Sequence, residues 1–229
     1  MEFKASADEL FKLGDIGDYK SADDIIPIGS ATVVAINAAT MLTKFGVIGG
    51  QSLNAYFNTF GLEGILANVS LIVIMFQVAR WLYTTFYAKT HPWSPFVFVC
   101  VLIFVQLIHD LLFYYGAINL IPSGYNEMID ALKKYSKEHG PRALAAHSAF
   151  LIFVGAIAMF FKERSMLFTV ITMATMLYLL PYIITTFGPK PAPVKVEQVQ
   201  QATQPVQQAS QKNSPQDLSR QMQGFRGLY

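Results

Sequence analysis

The chain has 229 residues, of which 53% are hydrophobic and 14% charged, with a net charge of +2. Soluble domains carry roughly 25% charged residues, so this composition, with its positive mean hydropathy, belongs to the membrane class. The small net charge and the lack of any Lys/Arg run exclude a nucleic-acid partner, and the lone Cys100 excludes an internal disulfide.

Residues 1–28 read as an acidic N-terminal arm. Before Ile25 there are seven acidic residues against three lysines, which predicts exposure to water. Within the arm, Ser6-Ala7-Asp8-Glu9 matches a capping box. Leu10, Phe11 and Leu13 ahead of Gly14 predict a short amphipathic helix, either solvated or resting on a membrane or partner. The opening MEFKASADEL lacks a positive region followed by an apolar stretch, so no cleavable signal peptide is expected.

Residues 29–187 hold apolar blocks long enough to cross a bilayer, for which about 20 helical residues are needed. Five spans are predicted, near 30–48, 62–80, 95–117, 143–161 and 166–187. The first is weakly apolar, rich in Ala and Thr, and contains Asn37 and Lys44; without it the count is four. Its small residues suit close packing between helices in lipid. Arg80, Trp81 and Tyr83 close the second span and suit the membrane interface, with the guanidinium snorkelling outward. Pro95 opens the third and most apolar block. Between the third and fourth spans, Met128, Ile129, Leu132 and Tyr135 recur at helical spacing opposite Lys133, Lys134, Lys137 and Glu138. They predict an amphipathic helix over 125–138, ended by Gly140-Pro141 and either lying on the membrane or serving as a plain connector. The turn Lys162-Glu163-Arg164-Ser165 is short enough to require an antiparallel hairpin of the last two spans. The expected fold is thus all-α: a polytopic transmembrane bundle with one surface helix.

From 188 to 229 Pro, Gln and Ser dominate, and VQQAT at Val199 is echoed by VQQAS at Val206. A disordered tail is expected because there is too little apolar surface for a core. Fully extended it reaches on the order of 140 Å. Phe225, Leu228 and Tyr229 at its end are candidate anchors to a partner. With five spans, Lys133, Lys134, Lys137, Arg142, Lys190 and Lys195 share a side against Lys20, Arg80, Lys89, Lys162 and Arg164. That bias tilts the loop and tail slightly toward the cytosol.

Ionisable groups inside the blocks are the candidate site. If the spans alternate, His109 and Asp110 on the third lie level with Asn68 and Ser70 on the second and His147 and Ser148 on the fourth. Gln106 shares a face with Asp110 at i, i+4, while His109 points roughly 100° away. A carboxylate in mid-membrane costs about 3 kcal/mol, so Asp110 must face other helices and find a donor. The set Asn68, Gln106, His109, Asp110, His147 and Ser148 reads either as interhelical glue, at about 0.6–2 kcal/mol per bond, or as a proton or ion relay. His109, Asp110 and His147 lack a metal-binding spacing of the HxxxH or HExxH type. No Walker or dinucleotide loop and no GxSxG elbow occurs. Asn68-Val69-Ser70 fits a glycosylation sequon but falls within a span. No enzyme activity, metal or cofactor is expected.

IHDLLFYY followed by IPSGYNEMIDALKKYSKEHG resembles a membrane-protein family of the nucleocytoplasmic large DNA viruses of algae and amoebae. The resemblance runs from about Leu53 to about Ala158. It rests on His109-Asp110, on Pro122-x-Gly124-x-Asn126 with Asp130, and on Lys134-Tyr135 with Glu138 and Gly140. Where the family pattern has acids, this chain has Asn68 and His147, which weakens any relay of carboxylates. The resemblance implies a minor capsid protein of a virion's internal membrane. Its partners would be the lipid bilayer, other minor capsid proteins and the major capsid protein, with the tail directed to the shell. The competing expectation is an ion or proton channel or transporter using the polar layer, although no internal repeat supports it.

Overall fold

The computed structural model describes residues 12–186. Among them are six α-helices and no strand: α1 Ile25–Lys44, α2 Gly50–Phe86, α3 Pro95–Phe113, α4 Glu127–His139, α5 Arg142–Lys162 and α6 Met166–Ile184. All but α4 are long and apolar enough to cross a membrane. The described residues therefore form an all-α bundle with five helices fit to span a membrane and one amphipathic helix. By its contacts the chain divides after Gly188, and the second unit, Pro189–Tyr229, lies outside the described residues.

Helix starts follow local chemistry. Ser94 accepts from the Val97 amide with Pro95 in the first position of α3, Asn126 accepts from Ile129 at the start of α4, and Ser165 accepts from Phe168 at the start of α6. The first span sits five residues earlier than its predicted start at 30. A 3-10 turn at Ala22–Asp24 leads directly into α1, and Pro27 is tolerated because it falls in the first turn. It also stops early. Gly46, at φ 73°, lets its own amide reach Thr43 O and the Val47 amide reach Leu42 O, a Schellman closure that outweighs the apolar Phe45, Val47 and Ile48.

The second span shows the largest departure. As a continuous helix α2 would be about 55 Å long, against a hydrocarbon core of about 30 Å. Gly61, at φ 47° and ψ −119°, breaks it next to the predicted start at Leu62. The preceding turns, 50–60, form a separate helical arm that was not expected. Tyr56 and Phe57 of this arm are buried, and Tyr56 packs against Gly64 just past the break. The third span continues beyond α3 through a π-helical turn, Tyr114–Ile118.

Successive spans alternate in direction, giving the bundle an arm end, where residues 12–24 lie, and an α4 end. The core between them is apolar. Phe76 and Ala79 of α2, Phe98 and Leu102 of α3, and Leu151, Val154 and Ala158 of α5 are buried together. Ile28, Ala31 and Ala35 bring α1 onto this core, and α1 packs against α2, α5 and α6; its small residues allow the close approach. The outer faces carry Phe104, Leu112, Leu167 and Ile171, all exposed and fit for lipid. For α4 the apolar face is turned inward. Ile129 is buried, and Met128 and Leu132 pack on the core cluster.

Candidate functional site

The end of α3 meets the start of α5 at the α4 end, and five of the six predicted polar-layer residues come together there. Asp110 is the hub. Its Oδ2 accepts from Gln106 Nε2 at 2.7 Å and lies 3.0 Å from His147 Nδ1, while Oδ1 lies 3.1 Å from His109 Nδ1. Ser148 Oγ donates to Gln106 Oε1 at 2.7 Å and also lies 3.0 Å from Leu144 O. His109 reaches Asp110 although neighbours on a helix diverge, and its ring stacks on Phe113 one turn further along α3.

Burial falls steadily across this group. Gln106 is fully buried, the Asp110 side chain is 14% exposed and that of His147 49%. His147 sits five residues into α5, about 7 Å along its axis, so the layer lies toward one membrane surface rather than at mid-bilayer. Asn68 is half-buried and takes no part in this hydrogen-bonded group. Its place is taken by a residue that sequence reading assigned to an apolar face. The Tyr135 ring of α4 stacks on His147 at 6.1 Å and 9°, and on His139 at 4.5 Å. Burial, followed by the nearby charges of Asp110 and Glu138, pushes the Tyr135 phenol up, which keeps it neutral.

One turn further along α4, Glu138 accepts from the amides of Gln51 and Ser52 at 3.0 and 2.9 Å. A carboxylate on the first amides of α2 satisfies orphan donors and complements the helix dipole. Hydrogen bonding from Ser52, followed by that from the Gln51 amide, holds the Glu138 carboxyl below its ordinary range. The amphipathic helix is thus tied both to the α2 arm and to the polar layer.

The arm end holds a cluster the sequence did not reveal. Arg80, predicted to snorkel, is instead fully buried. Its guanidinium bonds Asp24 Oδ2 at 2.8 Å, Ser21 O at 2.7 Å, Gln77 Oε1 at 2.9 Å and also Asp18 O. Lys162, from the end of α5, pairs with the other Asp24 oxygen. The 12–24 segment is largely exposed, as its charge predicts, but it is docked onto the bundle at a few points. Ile16 is fully buried, Gly14 donates its amide to Met159 O, and Gly17 O accepts from Thr84. Because the apolar run continues to Phe86, Arg80 sits well inside α2 and needs a counter-ion; that was the available signal. The capping box at Ser6–Glu9 and the anchors Phe225, Leu228 and Tyr229 lie outside the described residues.

Chemically the polar layer centres on one carboxylate and opens toward water at the histidines. Three donors converge on one carboxylate, Gln106 passes the chain to Ser148, and Ser148 returns to backbone. Between it and the Asp24–Arg80–Lys162 cluster lie Phe76, Phe98, Leu102 and Val154, all buried and apolar. Among the described residues no three His, Cys, Asp or Glu side chains are placed to hold a metal ion. No protein-family model, curated protein or solved structure matches this chain.

Proposed function

We propose that this chain is a structural protein of a membrane: a multi-span anchor that joins the internal membrane of a virion to its capsid shell. The observation that carries this reading is the use of the polar groups. Two polar clusters tie segments into the bundle: Asp24 and Arg80 hold residues 12–24, and Asp110 joins α3 to α5 with α4 stacked on its edge. Such ties suit a rigid scaffold. The virion assignment is supported by the resemblance over Leu53–Ala158 and by a polar tail long enough to span a protein layer.

Mass spectrometry of purified particles of the encoding virus tests it. The chain is expected at an abundance comparable with the capsid proteins, and its absence from particles would sink the virion role. A channel is the second reading, favoured by the titratable set His109, Asp110 and His147. Purified protein in liposomes is expected to give no proton flux above empty vesicles. Flux that disappears in Asp110→Asn would replace the scaffold reading with conduction.

A further inference from the structure

A groove of about 260 Å³ runs between the C-terminal ends of α1 and α6. Met41, Lys44 and Phe45 form one wall; Leu179, Tyr182, Ile183 and Thr186 form the other. It is smaller than the roughly 300–1,000 Å³ pockets that enclose compact ligands, and it opens on the lipid-facing side of α6, where Tyr178, Leu179 and Tyr182 are exposed. Its lining is almost wholly apolar, which suits hydrocarbon.

Lys44 makes this more than an apolar cleft. It is the last residue of α1 and only 2% exposed. Among the described residues, its ammonium has one partner, the neutral Asn58 Oδ1. An ammonium has three donors, and a cation taken out of water without a counter-charge is costly. The contrast with Lys162 is direct, since that lysine has Asp24. The carbonyls at the end of α1 offset part of the cost, but they supply no full negative charge. At this end of α1, with the Tyr182 ring beside it, Lys44 lies at the depth where phospholipid headgroups sit.

We propose that the groove holds an acyl chain of an anionic phospholipid whose phosphate meets the Lys44 ammonium. The apolar walls take the hydrocarbon, and the headgroup supplies the missing counter-charge. The site depends on the chain spanning a membrane and is independent of any place in a virion.

The test is native mass spectrometry of the full chain purified in detergent and equilibrated with equal amounts of phosphatidylglycerol and phosphatidylcholine. Wild-type protein is expected to retain phosphatidylglycerol about fivefold over phosphatidylcholine, the worth of one basic residue at an anionic surface. Lys44→Gln brings the ratio to one, and Lys44→Arg preserves it. Ile183→Trp fills the groove on the other wall and removes bound lipid of both kinds, so the proposal stays testable if Lys44→Gln does not fold. Equal retention of the two lipids by wild type, or an unchanged ratio in Lys44→Gln, overturns the proposal. So does displacement of lipid by millimolar inorganic phosphate, which would mean a simple ion site, or a dimer mass in place of a lipid adduct, which would mean a second copy occupies the groove.

Discussion

The two ends of the bundle solve one problem, charge out of water, in different ways. At the arm end, Arg80 and Asp24 are sealed, and the partners of Arg80 include main-chain carbonyls of the segment that covers it. At the α4 end Asp110 is partly open, and its neighbours are histidines and an amide. A guanidinium keeps its charge at any accessible pH, so Arg80 always needs the partners that surround it. The second rests on hydrogen bonds to one carboxylate that water can partly reach. The arm end thus joins the N-terminal segment, α2 and α5, while the α4 end joins α3, α4 and α5.

Removing one partner should separate the two ends most sharply at Asp24. Asp24→Ala leaves Arg80 and Lys162 without a carboxylate, and breaking a buried ion pair costs about 3–5 kcal/mol. Thermal unfolding in detergent should show a large fall in Tm, or no folded protein. The double variant Asp24→Leu with Arg80→Met should recover much of the loss, since apolar replacement of a buried pair is often neutral. If Asp24→Ala unfolds like wild type, the cluster does not anchor the N-terminal segment.

Asp110→Asn should be milder, at about 1–2 kcal/mol, the range of interhelical hydrogen bonds in membranes. The amide keeps one acceptor for Gln106 or a histidine. Tm measured in the same detergent checks this, and a loss as large as that of Asp24→Ala would erase the distinction between the ends.

The smallest effect is expected at Glu138, which is on the surface of α4. Its folded carboxyl titrates below the ordinary value of 4.5. Its contribution is therefore complete above pH 4.5 and is lost as the pH falls through the lower folded value. Hydrogen exchange at the Gln51 and Ser52 amides should accelerate over that acid window, and Glu138→Gln should show the faster exchange already at neutral pH. Protection that is independent of pH would remove Glu138 as the tie between α4 and the α2 arm.

Much of the fold was legible in the sequence, because a bilayer demands long apolar helices and the chain writes them as blocks. The last two spans and the start of the third were placed within a few residues, since Pro95, Ser165 and the short turn after Lys162 act locally. The polar layer was also largely legible. Alternating spans put the end of one block beside the start of the next, and this brought Asp110 to His147. Asn68 failed because equal depth does not guarantee a shared face across a helix pair. Tyr135 was missed because an aromatic at helical spacing reads as apolar packing until its neighbours are known.

The all-α class, the membrane setting, the amphipathic α4 and the need for Asp110 to find donors within the bundle can all be read from the residues alone. Each follows from composition, periodicity or the cost of charge in hydrocarbon, which are properties of single segments. It took the assembled bundle to seat Gly14, Ile16, Gly17 and Asp24 of the largely exposed 12–24 segment, to turn Arg80 inward to Asp24, and to leave Lys44 with a neutral partner beside the groove between α1 and α6. Those outcomes depend on which segments meet, and residues 56 or 138 positions apart in the chain carry no local mark of their encounter.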